Sequence, residues 1–383
     1  MSQRAIPAVF MRGGTSKGLF FHARDLPPEG EARDRVLLAA MGSPDPHGRQ
    51  LDGMGGGISS LSKVIVVSPP SHADAVLDYS FGQVAVDRKV IDWRSNCGNL
   101  TSAVGPFAVD EGLVDVADGE VALCLHHSTS GALVHARFEV AGGRTRVAGD
   151  FELHGVAGEG APIALDFETP GGATTGHLLP AGKALNRLAV PGRGKRNFEV
   201  SLVDATTACV FLRAADIGLR GNEMPEELEA KKGLLKRLEA IRRAGAEAMG
   251  LPPDGLSVPK LGLVAPPMAS PTLSGDELTA HDMDLTARMI SMEQPHRALP
   301  LTGAMCLATA AAIEGTLVHE IVSARQSGVE SIVIAHPSGL LSLAASVRRV
   351  EVGGWFAEHV TVTRTARRLM EGRVMVPASA FAD

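Results

Sequence analysis

Ser95-Asn96-Cys97-Gly98-Asn99-Leu100-Thr101-Ser102-Ala103-Val104-Gly105-Pro106-Phe107-Ala108-Val109-Asp110 is the stretch on which the fold turns. From Leu100 onward almost every side chain is small or apolar, which predicts a helix over 100–110 with no face suited to water. Such a helix must be surrounded, and a curved sheet wrapped around it is the simplest enclosure. A second segment of the same kind, GAMCLATAAAI at 303–313, predicts a second enclosed helix. Each follows a segment with a cysteine and a glycine near its start, SNCGN in the first half and LTGAMC in the second, which hints at a duplicated domain.

Outward from these helices the chain reads mainly as strand. Short β-like runs are expected at 8–11, 18–22, 63–67, 75–81, 84–87, 121–126 and 134–140, with Gly, Pro, Asp and Ser between them. Similar runs follow at 198–203, 208–212, 262–264, 331–335, 341–350 and 359–364. This lacks the regular strand, helix, strand rhythm of a doubly wound sheet and suits largely antiparallel pairing. A charged segment at 226–249 reads as an amphipathic surface helix with Leu234, Leu235, Leu238 and Ile241 on one stripe. The Gly, Pro and basic residues of 180–196 mark a domain boundary or a long loop, giving expected domains of 1–185 and 186–383, with the C-terminal end able to pack back on the first.

With 383 residues, 45% of them hydrophobic, the chain can bury two cores. A net charge of -6 and a pI near 6.1 argue against a nucleic-acid partner, so the positive charge needed for an anionic ligand must be local. One tyrosine and two tryptophans leave few stacking platforms. The N-terminal residues lack a secretory signature and no apolar run is long enough to span a bilayer, so a cytoplasmic protein with no membrane association is expected. The four cysteines, Cys97, Cys124, Cys209 and Cys306, are far apart and form no CxxC pair, which points to thiols rather than zinc ligands or disulfides.

Three motifs carry chemistry. Met11-Arg12-Gly13-Gly14-Thr15-Ser16-Lys17-Gly18 lies between two short strands; its glycines let backbone N–H groups converge, and Arg12, Thr15, Ser16 and Lys17 add donors and charge suited to a carboxylate or phosphate. The spacing is not that of a nucleotide-binding P-loop, and Lys17 leads into a strand. At the start of the first enclosed helix, the Cys97 thiol would sit at the positive end of the dipole, which favours thiolate and makes it a proton donor or acceptor. Neighbouring N–H groups there could hold a carboxylate. Finally, Asp52-Gly53-Met54-Gly55-Gly56-Gly57 and Ser59-Ser60-Leu61-Ser62-Lys63 lead into an apolar strand, and burial of Lys63 would lower its pKa toward that of a general base. His126 and His127 are adjacent and would face opposite sides of a strand, poor geometry for a shared metal. Neither HExxH nor GxSxG occurs.

Taken in order, MRGGTSKG, DGMGGG with SSLSKV, DWRSNCGNLTSAVGPFA, HRALPLTGAMCLATAAAIEGT and AHPSGLL closely resemble the PrpF family. That family contains 2-methylaconitate cis–trans isomerases, with methylitaconate delta-isomerases and 4-oxalomesaconate tautomerases among its relatives. The resemblance implies an α+β, diaminopimelate-epimerase-like fold of two similar domains, each a curved, mostly antiparallel sheet around a central apolar helix, with the active site in the cleft between them. It also implies that Lys63 and Cys97 are the acid and base, in a reaction with no cofactor and no metal. The expected substrate is a small unsaturated tricarboxylate of the 2-methylaconitate or aconitate kind. Alternatives are 4-oxalomesaconate tautomerisation, methylitaconate isomerisation, or a non-catalytic accessory role beside an aconitase-like enzyme. The intact Lys63 and Cys97 speak against the accessory role. On this reading the substrate meets Arg12, Gly14, Thr15, Ser16, Lys17, Ser60, Asn96, Gly98 and Asn99 in the first half, and His296 (or Arg297), Thr302 and Gly303 in the second. Racemases of the wider superfamily use two cysteines; here Cys306 lies a few residues into its helix, in a segment unlike theirs, and reads as packing. The oligomeric state is left open, with a homodimer one option.

Overall fold

In the computed structural model the described residues are 2–93, 97–190, 197–324, 331–350 and 354–381. They divide into two units, Met1–Leu165 with Thr363–Asp383, and Asp166–Val362.

The first unit is built from the N-terminal hairpin. Strand β1 (Gln3–Gly13) turns at Gly14 and Thr15 into β2 (Ser16–His22), with Arg12 opposite Lys17 and Gly13 opposite Ser16. Helix α1 (Glu31–Met41) follows, then β3 (Lys63–Ser68), parallel to β2, and β4 (Leu77–Val84), antiparallel to β3 with Lys63 opposite Gln83. Two short helices, α2 (Gly98–Thr101) and α3 (Val104–Asp110), come next. Because side chains alternate along a strand, the sheet has two distinct faces. Ile6, Ala8, Leu19, Phe21, Val64 and Val66 pack with Val36, Leu37, Leu38 and Met41 of α1. The alternate residues point the other way: Phe20 and His22 lie 5.4 and 5.2 Å, centroid to centroid, from the Phe107 ring of α3, and Tyr79 Oη is 3.2 Å from Thr101 Oγ1. Every residue from Gly98 to Thr101 and from Val104 to Val109 is buried.

The strand Ala366–Pro377 closes this unit by pairing antiparallel with β1 along its whole length, Gln3 opposite Pro377 and Gly13 opposite Ala366. The division between the units falls after Leu165, and the chain returns to the first unit at Thr363. Most of ARRLMEGRVMVP is charged or half exposed, so its β pairing leaves little hydrophobic signal in the sequence.

In the second unit, Asn197–Ala205 and Thr207–Arg213 form a hairpin, and Lys260–Ala265 pairs parallel with Thr207–Arg213. Leu285–Ser291, Ser331–His336 and Gly339–Arg349 extend the sheet, and Trp355–Arg364 pairs with Gly339–Arg349, its last two residues belonging to the first unit. The helix Leu301–Ala312 is buried at every residue from Leu301 to Ala311, as its composition requires. The surface helix expected at 226–249 is broken into Pro225–Ala230 and Leu234–Ala248 by Gly233, which is left-handed at φ 79°. Leu234, Leu238 and Ile241 form its buried stripe, and Leu235 is half-buried. Among the described residues no single helix is long and apolar enough to cross a membrane, and no cluster of three His, Cys, Asp or Glu side chains could hold a metal.

Candidate active site

Lys63 is the first residue of β3, and the strand's alternation sends it with Ile65 and Val67 to the α2–α3 face. It is 7% exposed, which is unusual for a lysine and requires a partner. Its Nζ donates to Gln83 Oε1 at 2.5 Å and lies 4.9 Å from the Phe81 ring centroid. Gln83 is itself fixed, donating from Nε2 to the carbonyls of Ser59 and Ser62 at 3.1 and 2.9 Å. Burial pushes the Lys63 ammonium below its ordinary value; the charge and hydrogen bond of neighbouring Cys97 push it part of the way back.

Cys97, 8% exposed, immediately precedes α2. The helix expected at 100–110 breaks at Ser102 and Ala103, so α2 is a single turn, and the long macrodipole anticipated for the thiol is absent. The Sγ lies 4.0 Å from Ser16 Oγ, a hydroxyl 3% exposed on the same face of the hairpin.

The RGGTSKG loop docks against this turn. Gly14 has φ 51°, and a Cβ there would fall 2.2 Å from Asn99 Oδ1; a Cβ on Gly18 would fall 2.4 Å from the Lys63 carbonyl. These glycines therefore let the hairpin backbone approach both the cysteine turn and the lysine strand. Asn99 donates from Nδ2 to Thr15 Oγ1 at 3.1 Å, while its Oδ1 is buried without a partner among the described residues.

Strand alternation separates the polar residues of the loop. Ser16 faces Cys97, whereas Arg12 and Lys17 are cross-strand neighbours on the α1 face, Lys17 Nζ lying 5.5 Å from the Phe10 ring centroid. Arg12 Nη1 donates to the carbonyls of Gly14 and Thr365 at 3.0 and 2.9 Å, so Arg12 braces the loop. Gly98 is buried within α2, and Ser60 lies half-buried in the 3-10 turn Ser59–Leu61. Asn96 lies outside the described residues.

The second unit holds the remaining expected residues. Thr302 is buried in the first turn of Leu301–Ala312, its carbonyl accepting from Thr206 Oγ1 at 2.9 Å. His296 Nδ1 accepts from the Ala298 N–H at 3.0 Å, and Arg297 pairs with Glu226. At Gly303 a Cβ would fall 3.4 Å from Lys260 Cδ. Lys260 was not singled out from the sequence, yet it opens a strand as Lys63 does, is 5% exposed, and donates to the Ser257 carbonyl at 2.9 Å. Cys306 donates to the Val203 carbonyl at 3.3 Å, and burial raises its thiol pKa well above the ordinary value, as a packing role requires. Gln83 is the other residue that sequence reasoning missed; nothing local distinguishes it until strand pairing sets it opposite Lys63.

A buried amine and a buried thiol that act on each other electrostatically, with a glycine loop alongside, form an arrangement capable of proton transfer in a sheet-dominated α+β protein. The chain belongs to the PrpF protein family, whose model matches residues 3–377. It is 38% identical to the 2-methyl-aconitate isomerase of Shewanella oneidensis, covering 98% of each chain. It is 37% identical to the (4E)-oxalomesaconate Delta-isomerase of Novosphingobium sp., covering 97% of each. Among solved structures, the crystal structure of methylitaconate-delta-isomerase matches with a TM-score of 0.78 at 35% identity, over 100% of this chain and 98% of that one.

Proposed function

We propose that this protein is an isomerase that shifts an allylic proton on a small unsaturated tricarboxylic acid without a cofactor, using Lys63 and Cys97 as base and acid. The observation that carries the reading is the burial of those two side chains, each more than nine-tenths buried, with Cys97 acting electrostatically on the Lys63 ammonium. One group takes a proton from the carbon next to a double bond conjugated with a carboxylate. The other returns a proton to the distal carbon, after passage through a dienolate whose charge spreads onto the carboxylate. In the forward sense a neutral Lys63 accepts and the Cys97 thiol donates. In the reverse sense the thiolate accepts and the ammonium donates, so the pair holds one transferable proton in either state. Rotation about a bond that is single in the intermediate gives a cis–trans outcome.

The two relatives and the solved structure named above carry three different substrate names at 35% to 38% identity, so the shared element is the proton shift. A 2-methylaconitate-like tricarboxylate is the first choice, with methylitaconate isomerisation and oxalomesaconate tautomerisation the alternatives. A diaminopimelate-epimerase-like pair of domains belongs to the same reading. It is supported by one fully buried helix in each unit and by a buried lysine opening a strand in each. The test is incubation with cis- and trans-aconitate, methylitaconate and oxalomesaconate in deuterated water, following vinyl and allylic protons by NMR. Deuterium entry coupled to isomerisation is expected for at least one acid. No exchange and no isomerisation of any of them would overturn the isomerase reading in favour of an accessory role.

A further inference from the structure

Arg364 is a buried cation that the sequence motifs do not include. It is 4% exposed and belongs to the first unit, one residue before Thr365, whose carbonyl accepts from Gly14 N–H at 2.9 Å and from Arg12. Its side chain runs beside the RGGTSKG turn: a Cβ on Gly14 would fall 3.1 Å from Arg364 Cδ as well as 2.2 Å from Asn99 Oδ1. Nη1 donates to the Thr363 carbonyl at 2.9 Å, Nε is buried with no partner, and no carboxylate pairs with the guanidinium among the described residues. Burial alone pushes its pKa down to about 9. The contrast within the same molecule is Arg288, 1% exposed in the second unit, whose Nε donates to the Glu223 carbonyl at 2.6 Å and whose charge is offset by Glu223 and Glu227.

Burying a guanidinium without a counter-charge is costly, and the cost is removed when an anion arrives. The loop beside Arg364 is the one whose Thr15 and Ser16 touch Asn99 and Cys97. We infer that Arg364 is the receptor for the central carboxylate of the substrate, the specificity-determining cation that holds the tricarboxylate beside the Lys63–Cys97 pair. The inference rests on the proton-shift reading above and adds to it the residue that selects for charge. The planar fork supplies parallel N–H donors to two carboxylate oxygens, a geometry that a lysine cannot match. Arg12 then serves by shaping the turn that holds Arg364 in place.

The test is calorimetric titration of the protein with two non-reacting acids, propane-1,2,3-tricarboxylate and glutarate, which has the same terminal carboxylates and lacks the central one. Parent protein should bind the tricarboxylate more tightly. Arg364→Gln should weaken tricarboxylate binding about 10- to 150-fold, the loss of a charge-assisted hydrogen bond, and should narrow the preference over glutarate. With a turned-over substrate the loss should appear mainly in KM. Unchanged tricarboxylate affinity in a folded Arg364→Gln protein would overturn the inference and leave the isomerase reading standing. Failure of the parent to bind or turn over any of these acids would remove both. If the glutamine variant does not fold, Arg364→Lys decides: weakening of at least about threefold is expected from loss of the fork, and unchanged affinity overturns the assignment.

Discussion

Replacing Lys63 by methionine is the most direct perturbation of the proposed chemistry, because methionine keeps the length and apolar stem and removes the amine alone. In the folded protein Nζ loses Gln83 Oε1 at 2.5 Å, the Phe81 ring at 4.9 Å and its electrostatic coupling to Cys97. The thioether can still pack on Phe81, so the structural penalty is the unmatched Gln83 oxygen, about 1 to 3 kcal/mol. Against this stands relief from burying an amine whose pKa is lowered chiefly by desolvation. The protein should therefore stay folded. The rate should fall by roughly 10²- to 10⁴-fold, the usual contribution of a positioned general base, or about 2.7 to 5.5 kcal/mol of barrier. The assay is NMR-followed isomerisation in deuterated water, in which loss of deuterium entry at the donor carbon reports the deprotonation step itself. A folded Lys63→Met protein that turns over within about tenfold of the parent would refute the assignment. Linkage gives an independent check. The folded-state pKa of Lys63 lies below its ordinary 10.5, so between the two values the unfolded chain binds a proton that the native state does not. Its contribution to stability is thus present above the ordinary lysine value and is lost as pH falls through the folded value. Parent stability should carry that slope in alkaline urea titrations, and Lys63→Met should flatten it.

Cys97→Ser should lower kcat while tricarboxylate binding persists, since a hydroxyl is a far weaker acid than a thiol; Cys306→Ser, deep in its own helix, should keep most of the activity, and equal severe losses at both would favour a two-cysteine mechanism. Gln83→Glu sets a carboxylate against the Lys63 amine, favours the ammonium, and should move the rising limb of the kcat/KM profile to higher pH; an unmoved limb would mean that Lys63 does not titrate in it. Gly14→Ala must relieve a 2.2 Å contact with Asn99 Oδ1 at a left-handed φ, so KM should rise and stability should drop by about 1 to 3 kcal/mol in chemical denaturation. Arg12→Ala should raise KM similarly for di- and tricarboxylates, because it loosens the loop; a loss confined to tricarboxylates would restore Arg12 as a direct reader of charge.

The enclosed helices were legible because composition alone forbids them a solvent face: LTSAVGPFAVD and GAMCLATAAAI have nothing to offer water, and both are buried throughout their cores. The strands at 63–67, 134–140 and 198–203 were legible from β-branched and aromatic runs between turn residues. The motifs around Lys63 and Cys97 were legible as family sequence, and glycine patterns at 13–18 and 53–57 announced close backbone approach. Pairing and direction were not. Which face of the hairpin carries Ser16 and which carries Arg12 and Lys17 depends on register, since a one-residue slip exchanges every side chain between faces. Gln83 became a partner of Lys63 only through the β3–β4 pairing, across a separation of 20 positions. The strand Ala366–Pro377 has too little apolar patterning to declare itself, and its place beside β1 is fixed by backbone hydrogen bonds that any sequence can make. Arg364 is the sharpest case. In sequence it is one arginine in the basic segment TVTRTARR at 361–368, and only tertiary burial leaves its charge, among the described residues, without a counter-ion beside Gly14 and Asn99, because desolvation is a property of the surroundings and not of the residue.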